Sequence, residues 1–152
     1  MATKSKVQQY YLTGTCKWAK LNPPGDEDFE QYSIAFFPDE PSLKTLEGMN
    51  LKSAQRKDNK TGEVYYNLAR KFKKITGEDL GLVHLYPAEG NMFSADERPS
   101  IVNGSKVTVK VITYPIQKSN QFAIRLDSVR IDEMAEPVER GEMVDLPFWS
   151  AQ

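Results

Sequence analysis

Lys106-Val107-Thr108-Val109-Lys110-Val111-Ile112-Thr113-Tyr114 puts a valine at every second position, and the residues between are polar or charged. Side chains along a strand alternate between its two faces, so this period of two predicts a half-buried strand. Val107, Val109 and Val111 face a core; Lys106, Thr108, Lys110 and Tyr114 face outward. A second strand follows in Phe122-Ala123-Ile124-Arg125-Leu126, with Phe122, Ile124 and Leu126 inward. After Asp127-Ser128 the phase slips and Val129 and Ile131 take over the inward role, as a β-bulge would require. The polar link Ile116 to Gln121 is short enough for a hairpin.

Upstream, strands are expected at Thr13 to Leu21, at Gln31 to Phe37 with Tyr32, Ile34 and Phe36 on one face, and at Glu63 to Phe72 after the turn Asp58-Asn59-Lys60-Thr61-Gly62. A weaker pattern runs from Leu82 to Tyr86. One short helix fits between Asp39 and Gly48: Asp39 caps it, Pro41 suits its first turn, Leu43 and Leu46 share a face, and Gly48 ends it. The fold class is therefore all-β, β-rich with one short helix. Five or six short strands in about 130 residues bury enough apolar surface only by wrapping into a small barrel or sandwich.

The 152 residues fit one compact domain, residues 1–131, followed by a tail, residues 132–152. Hydrophobic residues are 39% and charged residues 27% of the chain, enough apolar material for a core. No apolar run reaches the roughly 20 residues of a membrane helix, and Met1 to Lys6 lacks a signal-peptide core, so a soluble, cytoplasmic protein without a membrane partner is expected. The net charge of -1 conceals a strong asymmetry. The tail holds six acids against Arg140, whereas Lys52 to Lys74 holds eight bases against Asp58 and Glu63. Pro137 and Pro147 interrupt the tail, which closes on the apolar cluster Val144 to Trp149. Such a segment docks through its tip, with a latch onto the domain's own surface as the competing reading.

Chemistry is constrained by what is missing. Cys16 and His84 are the single cysteine and histidine, so zinc motifs and disulfides drop out, and a triad would have to use a histidine inside the strand-like Val83-His84-Leu85. Both read better as strand residues. There is no phosphate-binding glycine loop, and the acids Asp26, Glu27, Asp28 and Glu30 lie beside Pro23-Pro24-Gly25 like a solvated turn. No catalytic residue, metal or cofactor is expected.

What remains is aromatic and basic residues interleaved on strands. Tyr65, Asn67, Lys71 and Lys73 share one face of the Glu63 strand, opposite Val64, Tyr66, Leu68 and Phe72. Lys17, Trp18 and Lys20 lie on the first strand. The outward face of the Lys106 strand adds Lys106, Lys110 and Tyr114, with Arg125 a neighbour across the hairpin. Rings that stack on bases and cations that meet phosphates are the two needs of single-stranded nucleic acid, and neither requires a sequence to be read. The dull alternative is that strand aromatics are core and strand lysines guard an edge.

Four tracts carry a family resemblance: Thr13 to Lys20, Tyr65 to Lys74, Ile101 to Val111 and Ala123 to Ile131. Over roughly residues 10 to 135 the chain resembles the single-stranded DNA-binding proteins encoded by tailed bacteriophages. The resemblance implies an OB-fold-like barrel that coats single strands in phage replication and recombination, with an acidic tail that recruits replication or recombination proteins and competes with DNA. It implies Lys17, Trp18, Lys20, Tyr65, Arg70, Lys71, Lys106 and Lys110 as binding positions. Asp145-Leu146-Pro147-Phe148, followed by Trp149, is similar to the partner-binding tip of bacterial single-strand binding proteins. Two departures stand out: the helix follows the second strand, whereas the usual OB helix joins the third and fourth, and four residues follow Phe148. The function expected is a non-enzymatic binder of single-stranded DNA. The alternative is a structural β-barrel of a virion or tail without nucleic-acid affinity.

Overall fold

The computed structural model describes residues 7–49, 51, 55–74, 76–116 and 120–136. These residues form strands β1 (Gln8–Lys20), β2 (Gln31–Pro38), β3 (Gln55–Lys57), β4 (Val64–Lys71), β5 (His84–Tyr86), β6 (Lys106–Pro115) and β7 (Phe122–Glu133), with one helix, α1 (Glu40–Glu47), between β2 and β3. They make a single sheet in the order β3-β4-β2-β1-β6-β7-β5. Every neighbouring pair is antiparallel except β5 on β7. The sheet curls until β4 comes back against β7, giving an OB-fold-like barrel with a seam between those two strands.

The valine alternation holds: Val107, Val109 and Val111 are fully buried, and Thr108, Lys110 and Tyr114 face out. The predicted bulge is also present. Lys110 lies opposite Ser128 and Val111 opposite Leu126, so one residue of β7 has no counterpart there, and Leu126, Val129 and Ile131 all point inward. Phe36, Leu12, Ile34, Leu68 and Leu85 complete the interior with them. Each such side chain contributes about 1.5–3 kcal/mol by leaving water.

The helix forms as expected. Asp39 accepts a hydrogen bond from the Ser42 amide, Pro41 lies in the first turn, Leu46 is buried and Gly48 terminates it. Asp39 also accepts from the Thr13 hydroxyl, and the Thr13 amide donates to Ser42 Oγ (2.8 Å), which ties α1 to β1.

Other expectations need correction. β1 starts at Gln8 rather than Thr13, because Gln8 to Leu12 pair with Thr113 to Val109. β3 carries no period that three residues could display; it exists by pairing with Val64 to Tyr66. Alternation puts Val64 inward, yet it is exposed, since its pairing partner is Lys57 of the edge strand, outside the core. Asp132 and Glu133, grouped above with the tail, end β7: Asp132 accepts from Thr108 Oγ1 (2.6 Å) and Glu133 pairs with Lys106 (3.3 Å). The partner-binding tip Asp145 to Trp149 lies outside the described residues.

Candidate nucleic-acid interface

One bulge decides the character of the outer face. Along β1 the residues Leu12 and Cys16 point inward, and unbroken alternation would send Trp18 after them. Between Lys17 and Lys20 the register to β2 shifts, and Trp18 takes a left-handed backbone (φ 50°), unusual for a bulky residue. Its amide donates to Asn103 Oδ1 (2.8 Å), while the Gly104 amide donates to the Cys16 carbonyl (2.7 Å). The Asn103-Gly104 turn (Gly104 φ 93°) thus clamps the bulge from the far side of the chain. As a result Trp18 is 49% exposed. The same shift sets Lys17 opposite Ala35 and Lys20 opposite Ser33, so both lysines fall on the outer face.

Around Trp18 a ring cluster assembles. Tyr65 of β4 stacks on Phe37 of β2 (centroids 5.0 Å apart, planes at 29°) and meets Trp18 edge-on at 5.8 Å. Lys17 Nζ lies 5.0 Å from the Phe37 ring and 5.6 Å from that of Trp18, cation–π distances. It also lies 3.8 Å from the Asp58 carboxylate, whose pKa is held low chiefly by the Lys60 amide. Phe37 belongs to this site, and alternation on β2 signals it, since Tyr32, Ile34 and Phe36 point the other way.

From this cluster an open groove of about 960 Å³ runs along β4 and crosses the seam to β7 and β6. Arg56, Asn67, Lys71, Lys73, Lys74, Tyr114 and Arg125 line it, together with small or apolar residues such as Ala69, Ile112 and Ile124. Among the described lining residues there is no carboxylate. Lys74 has Glu78 at 3.8 Å on the exposed rim, and Lys71 Nζ donates to the Phe29 carbonyl (3.2 Å). Tyr114 is 39% exposed. Arg125 keeps a buried Nε–H without an acceptor among the described residues, a donor that costs free energy until something accepts from it.

Four of the expected residues, Lys71, Lys73, Tyr114 and Arg125, therefore meet in one groove, and Lys17, Trp18 and Tyr65 stand at its end. Register links the two parts: Arg56 pairs with Tyr65, and Asn67 is two residues along the same face of β4. Arg56 and Lys74 were legible only as members of a basic run.

Four expected residues lie elsewhere. Lys20, at the end of β1, lines a small separate pocket with Asn22, Pro99 and Ile101. Arg70 points to the opposite side of β4, donates to the carbonyls of Leu80 and Gly81, and has Asp127 at 4.0 Å. Burial, and then the like charge of Arg125, lower its pKa, opposed by Asp127. It braces the seam and does not face the groove. Lys106 sits at the end of the sheet, paired with Glu133. Lys110 lines a second groove of about 560 Å³, with Tyr11, His84, Tyr86, Asp127 and Arg130 among its walls, and lies 3.7 Å from Asp127.

Burial pushes the Cys16 thiol up to about 12, so it stays protonated, and His84 is exposed on β5. Among the described residues no three His, Cys, Asp or Glu side chains gather as metal ligands, and no helix is long and apolar enough to cross a membrane.

No family model matches the sequence, and no curated protein sequence matches it significantly. Solved structures do match the fold. The single-stranded DNA-binding protein encoded by bacteriophage T7 superposes with a TM-score of 0.64 at 14% identity, over 91% of this chain and 93% of the other. The single-stranded DNA-binding protein of bacteriophage Enc34 superposes with a TM-score of 0.56 at 14% identity, over 88% and 85%. The same Enc34 protein in complex with single-stranded DNA gives 0.55 at 15%, over 86% and 89%. At these identities the likeness is one of fold.

Proposed function

We propose that this chain is a non-enzymatic binder of single-stranded DNA with little sequence preference, serving phage replication or recombination. The observation that carries the reading is the seam groove: five cations and an exposed tyrosine along its walls, no carboxylate among those described, and a tryptophan cluster at one end. Arg56, Lys71, Lys73, Lys74 and Arg125 neutralise phosphates, while Trp18 and Tyr114 offer ring faces to unpaired bases, each stack worth about 1–3 kcal/mol. The barrel agrees with the OB-fold pattern, which takes oligonucleotides on the outer face of its strands and adjoining loops, and the ring cluster stands on such a face of β1, β2 and β4. The phage proteins that share the fold are single-stranded DNA-binding proteins by name, which supports the same class of ligand here. The acidic residues that follow β7 screen the groove when DNA is absent, and the Asp145 to Trp149 tip recruits replication or recombination proteins.

Oligo-dT titrated into the protein should quench tryptophan fluorescence. Affinity should fall with salt at a log–log slope of about -0.7 per neutralised phosphate, or about -3.5 for five contacts. Absence of both quenching and a gel shift at low salt overturns the proposal. Removing the residues after Glu136 should tighten binding; an unchanged affinity would refute the screening role alone.

A further inference from the structure

The groove lined by Tyr11, His84, Tyr86, Lys110 and Arg130 plays no part in the function proposed above. It lies on the outer face of β1, β5, β6 and β7, and its rings reach solvent: Tyr11 is 67% exposed, with no ring packed against it among the described residues, and Tyr86 is half-buried. It also follows the seam groove along one strand. Tyr114 and Ile112 line the seam groove, Lys110 and Thr108 line this one, and all four share a face of β6. From Tyr114 to Lys110 is four residues, roughly 13 Å at the strand's rise of about 3.3 Å per residue. The cations here are already answered, Lys110 by Asp127 at 3.7 Å and Arg130 by Asp132 at 2.6 Å. The Arg130 side chain is about half exposed, and such a pair holds weakly, so a phosphate can exchange for Asp132; the half-buried Lys110–Asp127 pair holds more firmly. The net attraction for a phosphate chain is nonetheless smaller than in the seam groove.

We propose that this second groove takes the next segment of the same single strand, its bases stacking on Tyr11 and Tyr86 as the strand leaves Tyr114. The inference rests on the DNA-binding reading. It makes the contact longer than the seam groove alone, and the added part depends on stacking more than on charge.

The test uses the full chain with two oligo-dT lengths, about 6 and about 20 nucleotides, bracketing most of the roughly 4–16 that one OB fold occupies. Tyr11→Ala removes an exposed ring and leaves the core intact. It should bind the short oligo within about twofold of the parent and the long one roughly tenfold more weakly, as expected for one lost stack. Tyr11→Trp should restore long-oligo binding and add fluorescence that only the long oligo quenches. Equal behaviour of Tyr11→Ala and parent on both lengths, equal losses on both, or a tryptophan at position 11 that the long oligo leaves unquenched would each overturn the proposal. So would two short oligos binding per protein at equal strength, which would mean two independent sites. If the parent binds neither length, the DNA-binding reading itself fails. If the parent binds both and Tyr11 is immaterial, only the extension fails.

Discussion

The two grooves share one sheet and one face of β6, yet they differ in charge. In the seam groove Arg56, Lys71, Lys73 and Arg125 have no carboxylate within ion-pairing distance among the described residues, and only Lys74 has one, at the rim. In the second groove Lys110 and Arg130 each face an aspartate of β7. Both present rings. The difference teaches that exposed aromatics on a barrel mark where bases can lie, whereas unanswered cations mark where a phosphate chain is held.

The sharpest way to break this comparison is to erase it. The variant Lys71→Ala/Lys73→Ala/Arg125→Ala should lower oligo-dT affinity about a hundred- to a thousandfold at low salt and flatten the salt slope by about 2, at about 0.7 per lost contact. A Lys20→Ala/Lys106→Ala control, outside the groove walls, should cost far less; equal losses would mean that overall charge, not the groove, is at work. Next in size, Trp18→Ala should weaken binding about tenfold with little change in salt slope, because a stack and not a phosphate contact is lost. Fluorescence anisotropy of labelled oligo-dT at three salt concentrations reads both.

Asp127→Asn makes the second groove more like the first. Releasing Lys110 should tighten long-oligo binding about two- to fivefold, while thermal stability falls because Arg70 loses its carboxylate. Opposite signs in the two measurements are the expected signature.

The smallest effect on binding belongs to a site outside both grooves. Asp39→Ala removes the cap of α1 and should cost about 1 kcal/mol of stability, measured by urea unfolding, with DNA affinity unchanged. The Thr13 hydroxyl, with the Ser42 amide and hydroxyl, holds the Asp39 carboxyl below its usual range. A lowered folded-state value means that this contribution is complete above the ordinary carboxylate pKa of about 3.9 and is lost as pH falls through the folded value. The parent and Asp39→Ala curves should therefore converge in acid.

Much of the barrel was readable because its strands alternate. Val107 to Val111, the slip after Ser128 and the Asp39 cap are local patterns, and each occurs where alternation or capping chemistry puts it. Arg70 shows the limit. In the sequence it is one more base in the run Arg70-Lys71-Phe72-Lys73-Lys74, but parity on β4 separates it from Lys71, and the carbonyls of Leu80 and Gly81 claim it. Trp18 shows the converse. Strict alternation would bury it, and only the Asn103-Gly104 clamp, some 85 residues away in the chain, turns it out.

By itself the sequence determined the fold class, most strand positions, the helix and its cap, and the presence of rings and cations outside the core, because each depends on neighbours two to four residues apart. Tertiary structure decided which of those cations stand together unanswered, since closure of β4 on β7 brings Lys71 beside Arg125, residues that no local period can connect. It also decided that a second ringed groove follows the first, with Lys110 matched to Asp127 by the pairing of β6 with β7.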